Sequence, residues 1–287
     1  MAVKKTEGRA DLHTHSTASD GTGSPADNVR LAREIGLAAV ALTDHDTTAG
    51  LEEALAEGAR LGIRVVPGVE LSTMANGLEI HVLGYFVDWR DARWRERLGT
   101  QRDARMRRNA MLLERLAALG MPVTMEEVER AAAGRASGGS IGRPHIAEAM
   151  VARGYVSSTA EAFERYLGSE GAAYVHVPRP TPLEAVRWIH EAGGAAVIAH
   201  PGLYGRDELV ESLLEAGTDG IEAYHSDHGP EDEARYAAMA ARHGVIATGG
   251  SDYHGARGGV VFHGPLGGRT VDAAVVDLLE AASRKYR

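Results

Sequence analysis

Seven short apolar runs, at 10–15, 37–43, 63–70, 79–87, 195–200, 219–225 and 245–249, alternate with amphipathic stretches along this chain, and most end in or carry a histidine or a carboxylate. Runs of this length, rich in small and β-branched residues, read as strands, and the stretches between them read as helices. Helix starts are legible where a hydroxyl residue precedes a proline, at Ser24-Pro25 and at Thr181-Pro182-Leu183-Glu184. Such alternation argues for an α/β fold with a mainly parallel sheet under covering helices, and seven strands suit a barrel close to the eight-stranded (β/α) type.

The placement of ligand-capable side chains narrows this further. His13 and His15 close the first run, where i and i+2 point to the same side of an extended chain and both imidazoles can reach one metal ion. Asp20 follows in the next loop; Asp44-His45-Asp46 ends the second run, Glu70 the third and His200 the fifth. His81 lies in the fourth run, and Asp252-x-His254 follows the seventh. All are expected at or near C-terminal strand ends, which converge on one face of a parallel (β/α) barrel, the face where such folds place their chemistry. Nine candidate ligands exceed the three or so that one catalytic zinc needs, so two or three ions are expected, with Glu70 as the natural bridging carboxylate. Ions a few ångströms apart suit in-line displacement at phosphorus, one generating hydroxide while the others clamp the phosphate.

The sequence contains no cysteine, which removes thiol catalysis, disulfide scaffolds and cysteine-ligated metals, and leaves 13 histidines with the carboxylates as the only ligands. Nitrogen and oxygen donors favour Mn, Zn or Fe. The formal charge of −9 over 287 residues excludes a protein that coats long DNA by charge alone but leaves room for a small anion in a local basic pocket. No apolar run approaches a membrane span, so no membrane partner and a cytoplasmic location are expected.

From 89 to 174 no strand pattern appears; helices are expected at 90–119, 124–133, 143–153 and 158–167, an insertion between barrel segments 1–88 and 175–287. Gly138-Gly139-Ser140 reads as a joint or a backbone anion loop. Residues 90–108 hold eight arginines against Asp91, Glu96 and Asp103. Most suit a solvated helix face, but Arg105 and Arg108, at i and i+3, share a side and could hold a phosphate, as could Arg143 before the next helix. His225, in Tyr224-His225-Ser226-Asp227-His228, is placed to touch substrate or protonate a leaving oxygen, or else to orient a ligand from outside.

Asp11-Leu12-His13-Thr14-His15-Ser16, Thr43-Asp44-His45-Asp46, Gly68-Val69-Glu70, Ala199-His200-Pro201 and Gly250-Ser251-Asp252-Tyr253-His254 resemble the motif set of the PHP (polymerase and histidinol phosphatase) family of metal-dependent phosphoesterases. The resemblance spans nearly the whole chain and implies a distorted (β/α)7 barrel with a trinuclear site. It groups His13, His15, Glu70 and Asp252 around one ion, Glu70, His81 and His200 around a second, and Asp20, His45 and His254 around a third. Some relatives carry a histidine where this chain has Asp20, which makes a histidinol-phosphatase assignment less attractive. Arg143-Pro144-His145-Ile146-Ala147, with Gly154, Phe163 and Tyr166-Leu167, resembles the subgroup that removes the 3′-phosphate from nucleoside 3′,5′-bisphosphates, some members also trimming short RNA from the 5′ end. The implied activity is a phosphomonoesterase with His225 and Asp252 catalytic and Arg105, Arg108, Arg143, His145 and His225 at the substrate. The alternatives are a histidinol-phosphatase-like or amidohydrolase-like hydrolase, and a non-catalytic metal-binding module.

Overall fold

The computed structural model describes residues 7–132, 140–257 and 259–287. Strand β1 (Arg9–Asp11) leads to α1 (Pro25–Glu34), whose Ser24 cap accepts from the Asp27 amide, and then to β2 (Ala39–Leu42). Helix α2 (Leu51–Leu61) returns the chain to β3 (Arg64–Ala75), and β3 turns directly into β4 (Leu78–Tyr85). The helical stretch comprises α3 (Ala92–Ala118), α4 (Met125–Ala131), α5 (Arg143–Ala152) and α6 (Thr159–Ala162), the last running into a π-helical turn at Phe163–Leu167. Alternation resumes with α7 (Pro182–Glu191), β5 (Ala195–Ile198), α8 (Asp207–Glu215), β6 (Gly220–His225), α9 (Pro230–His243) and β7 (Ile246–Gly250). Short strands β8 (Ala256–Arg257), β9 (Val260–Val261) and β10 (Val271–Asp272) precede the final α10 (Ala274–Ser283).

The main sheet runs β10-β1-β2-β3-β4-β5-β6-β7. It nearly closes, because the Leu12 amide donates to Gly249 O at 3.2 Å and Thr14 bridges Tyr253 in parallel. A Cβ on Gly250 would lie 2.4 Å from His13 Cβ, so only glycine lets β7 approach β1 this closely. Small side chains such as Ala39, Ala41, Ala195 and Ala199 fill the narrow interior with Leu12, Val66, Leu83 and Tyr85, joined by Val276 and Leu279 of α10.

Two sequence expectations change here. Glu70 does not end its strand, and His81 does not sit at a C-terminal strand end. β3 continues to Ala75 and pairs antiparallel with β4, which is antiparallel to β5 as well. Asn76 and Gly77 both take positive φ (51° and 79°), the conformation of a two-residue hairpin turn, and Asn-Gly is the strongest short-range signal for one. Because β4 runs backwards, its N-terminal half lies beside the far end of β3, and His81 pairs in register with Ser72. The reversal thus delivers His81 to the same face as the forward strand ends.

The helical stretch divides in two. Trp94 and Leu98, early in α3, pack on Val69, Leu71 and Val82 of the sheet. Leu112 and Leu116, later in α3, join Val128, Ile146, Met150 and Leu167 in a cluster of their own. Gly138 and Gly139 lie outside the described residues, as does position 133; Ser140 is described, and its amide donates to Ala18 O at 2.8 Å. Among the described residues no helix is long and apolar enough to cross a membrane.

Candidate metal centre

Beyond β1 the chain stays extended, so His13 and His15 turn inward while Thr14 turns away and donates to Ala41 O at 2.6 Å. Glu70 is the hub they meet. Its Oε2 lies 3.4 Å from His13 Nε2, 3.2 Å from His15 Nε2 and 2.9 Å from His45 Nδ1. Its Oε1 faces the other way, 2.8 Å from His81 Nδ1 and 3.0 Å from His200 Nε2. Asp252 Oδ1 approaches His13 Nε2 at 3.3 Å and His15 Nε2 at 3.1 Å. Asp20 stands 3.4 Å from His254 Nε2 and 3.8 Å from His45 Nε2.

Among the described residues five overlapping groups have donor atoms close enough to share an ion: His13, His15, Glu70 and Asp252; His45, Glu70 and His81; His15, Asp20, His45 and His254; and, at the margin of these, His13 with Glu222 and His225, and Asp252 with His254 and His263. Buried nitrogens and oxygens with no hydrogen-bond partner concentrate here, among them His13 Nε2, both ring nitrogens of His15, His45 Nδ1, Glu70 Oε2 and Asp252 Oδ1. A buried polar atom left unpaired is costly. The donor set is all nitrogen and oxygen, and cations between the carboxylates would satisfy these atoms together, so the residues fit a multinuclear divalent centre.

The electrostatics agree. Burial opposes ionisation of Glu70, yet His45, His81 and His13 hold it well below the usual carboxylate range. Burial likewise opposes charge on His15, but Asp252 and Glu70 override it and push the imidazole up to about 10. His200 is pushed by burial, against the pull of Glu70, down to about 4. The carboxylates thus draw positive charge onto the cluster.

Surrounding groups fix the ligands. His13 Nδ1 lies 3.1 Å from both oxygens of Glu222, which also accept the His200 amide at 2.8 Å, so Glu222 sets the ring orientation of one candidate ligand and the backbone of another. Asp44 accepts from Ser16 and Ser19 and belongs to none of the candidate ligand groups. Four of the six non-glycine residues with positive φ among the described residues, Asp46, His200, Asp252 and His263, surround this site. Such backbone strain persists where the surroundings over-determine it, commonly at functional sites.

One cavity opens onto the cluster, lined by Asp20, His45, His81, His200, Asp252 and His254 together with Arg105, Arg143, Glu79 and Ser72, and by Pro144, Phe163, Leu203 and His263. Arg105 pairs with Asp46 and donates to Ser72 Oγ at 2.7 Å. Arg143 Nη2 lies 2.6 Å from Glu79 Oε2.

Three residues expected at substrate do not line this cavity. Arg108 is buried and donates to Asn109 Oδ1 at 3.0 Å; i and i+3 on a helix differ by about 60°, and it does not follow Arg105 into the cavity lining. His145 is the third residue of α5 and accepts the Gly142 amide at Nδ1, 3.2 Å away, as a helix cap. His225 is fully buried; its Nδ1 accepts the Asp227 amide at 3.1 Å and its Nε2 lies 3.4 Å from Asp252 Oδ2, so it stands behind a candidate ligand.

Sequence reasoning missed Glu222, Arg179 and His263. A lone glutamate inside the apolar run Gly220-Ile221-Glu222-Ala223 was a usable signal for the first. Arg179, nearly buried with Nη1 2.9 Å from Glu79 Oε1, carried only its place between two prolines. His263 meets Asp227 and faces Asp252 at 3.5 Å from an irregular segment without periodicity.

The PHP domain family profile matches residues 11–247 of this chain. The phosphoribosyl 1,2-cyclic phosphate 1,2-diphosphodiesterase of Eggerthella lenta is 37% identical over 254 residues, covering 87% of this chain and 95% of that protein. The 5′-3′ exoribonuclease Rnm of Escherichia coli K12 is 36% identical over 251 residues (85% and 84%), and the 3′,5′-nucleoside bisphosphate phosphatase of Chromobacterium violaceum 36% over 249 (85% and 86%). Among solved structures, a protein assigned as a metal-dependent phosphoesterase from Bifidobacterium adolescentis superposes with a TM-score of 0.86 at 33% identity, covering 95% of this chain and 96% of that one.

Proposed function

Because the chain belongs to the PHP family of metal-dependent phosphoesterases, we propose that it removes the 3′-phosphate of nucleoside 3′,5′-bisphosphates, leaving a nucleoside 5′-phosphate and inorganic phosphate. The observation that carries this reading is that one cavity joins the histidine–carboxylate cluster to an arginine wall, two anion-directed surfaces for one substrate with two phosphates.

In this reading His13, His15, Glu70 and Asp252 hold one ion, Glu70, His81 and His200 a second, and Asp20, His45 and His254 a third. Divalent ions of Mn, Zn or Fe held there would activate water and neutralise the phosphoryl oxygens. Glu70 spans the cluster with its two oxygens, and Glu222 keeps the His13 ring aimed at it. Asp252, backed by His225, faces the reacting phosphate. Arg105 and Arg143, contributed by the helical stretch 89–174 over barrel segments 1–88 and 175–287, hold the non-scissile 5′-phosphate. Arg105, Arg108, Arg143 and Arg179 are neighbours, and the carboxylates paired with them are Asp46 and Glu79. Four guanidiniums against these two carboxylates leave the cluster short of negative charge, which a phosphate of nearly two charges supplies. The same 5′-phosphate grip suits short 5′-phosphorylated RNA.

The test is a substrate panel with manganese-loaded enzyme: adenosine 3′,5′-bisphosphate, histidinol phosphate, a phosphoribosyl 1,2-cyclic phosphate and a 5′-phosphorylated oligoribonucleotide. A charge-assisted second-phosphate contact is worth about 1.5–3 kcal/mol, so kcat/KM for the bisphosphate should exceed that for histidinol phosphate by about 10–100-fold. Equal or reversed rates for histidinol phosphate, or a preference for the cyclic diester, would overturn the assignment.

A further inference from the structure

Glu79 occupies a position that the metal cluster and the arginine wall share. It is the second residue of β4, two before His81, so both side chains leave the same face of that strand. Its Oε2 lies 2.6 Å from Arg143 Nη2, at the start of α5. Its Oε1 lies 2.9 Å from Arg179 Nη1 and 3.6 Å from His81 Nε2. The opposite nitrogen of that imidazole, Nδ1, is the one 2.8 Å from Glu70. Charged groups thus follow one another from Glu70 through His81 and Glu79 to two arginines, the His81–Glu79 step being an ion-pair contact longer than a hydrogen bond.

Each arginine is held by backbone as well. Arg143 Nη1 donates to Leu167 O at 3.3 Å. The Pro178-Arg179-Pro180 segment is stiffened by its prolines and tied to the hairpin, where the Met74 amide donates to Pro180 O at 3.0 Å. Glu79 thus sits within ion-pair distance of both guanidiniums.

We propose that Glu79 is the positioning residue that couples the two halves of the site: it orients the His81 ring for metal binding and, through the same carboxylate, sets Arg143 and Arg179 for the second phosphate. This rests on reading the cavity as a bisphosphate site. Glu79 and Leu167 O each take one N–H of Arg143, and a guanidinium carries five, so further donors stay available to substrate. Removing the carboxylate therefore weakens both binding events, although Glu79 is proposed to touch neither the ions nor the phosphates.

The experiment measures two affinities in the same variants. Manganese occupancy is read by elemental analysis at fixed free metal, and adenosine 3′,5′-bisphosphate binding is read by calorimetry in chelator, where no turnover occurs. Glu79→Ala is expected to lower manganese affinity about 10-fold or more, the range seen when a partner behind a metal ligand is removed. It is also expected to weaken bisphosphate binding several-fold. Glu79→Gln still accepts a hydrogen bond from Arg143, so it should lose metal affinity while retaining most of the bisphosphate affinity. If Glu79→Ala melts below assay temperature, Glu79→Asp replaces it, with the same two losses expected from its shorter reach. Unchanged manganese affinity overturns the proposal, and so does bisphosphate binding that is unchanged or tighter in the alanine or aspartate variant. If wild-type protein binds no bisphosphate in chelator, the functional reading fails instead, and the manganese measurement alone decides whether Glu79 orients His81.

Discussion

The histidine–carboxylate cluster and the arginine wall line one cavity, yet they are built differently. Most of the cluster comes from the strands of a nearly closed sheet and the residues just beyond them, and the buried Glu222 supports two of its members, meeting the His13 ring and the His200 amide. The wall is assembled from α3, α5 and the Pro178–Pro180 linker, and its guanidiniums are held chiefly by ion pairs to Asp46 and Glu79. A sheet fixes several side chains to within its own register, whereas ion pairs between separate helices hold charge in place with less geometric constraint. Chemistry that recurs across a family belongs on the first kind of scaffold. In the proposed reading, discrimination among phosphorylated substrates falls to the second; relatives of 36–37% identity are named for a cyclic diester, a bisphosphate and RNA.

The sharpest way to break this contrast is at Glu70. If it bridges, Glu70→Gln removes one negative charge from two groups at once, and elemental analysis should show the loss of two ions per chain. Turnover should fall by about 10³-fold or more, since metal-supplied charge stabilisation is worth several kcal/mol. Loss of a single ion would show that the two oxygens do not serve separate ions, despite facing different histidines.

Arg143 tests the opposite wall with a smaller and more selective effect. Arg143→Ala should raise KM for adenosine 3′,5′-bisphosphate about 10–100-fold, the cost of one charge-assisted contact, with kcat largely kept. An aryl phosphate, which has no second phosphate, should be hydrolysed at the wild-type rate. Equal losses on both substrates would make Arg143 part of the chemistry and erase the division between the two walls.

The same division explains what could be read from sequence. Strand positions and the nine candidate ligands were legible because apolar runs with period-two geometry end in histidines and carboxylates, a local pattern. The β3–β4 hairpin was missed although Asn76-Gly77 announces it, because a strand-then-helix rhythm was extended across a turn that reverses the chain. Glu222 could have been found as a charge inside an apolar strand. The arginine wall offered no such handle: Arg105 and Arg108 look equivalent on a helical wheel, and only tertiary packing decides that the first meets Asp46 while the second turns to Asn109. Glu79 and Arg179 become partners across 100 positions, with nothing in either neighbourhood to link them.

The smallest expected effect lies at His145, where sequence resemblance and structure assign different work. As a substrate residue its removal would lower kcat/KM; as the cap of α5 it would lower stability alone. The ring is buried and accepts the Gly142 amide, one of the donors at a helix start that has no partner within the helix. His145→Ala should therefore cost about 0.5–2 kcal/mol, read as a lower midpoint in denaturant, with kcat/KM for the bisphosphate unchanged below the melting range. His145→Gln should recover much of that stability, because glutamine at this position can also reach back to the cap amide. A rescue of stability without any change in kcat/KM would place His145 with the scaffold that presents Arg143. A loss of kcat/KM that persists in the glutamine variant would instead extend the substrate wall one turn further along α5.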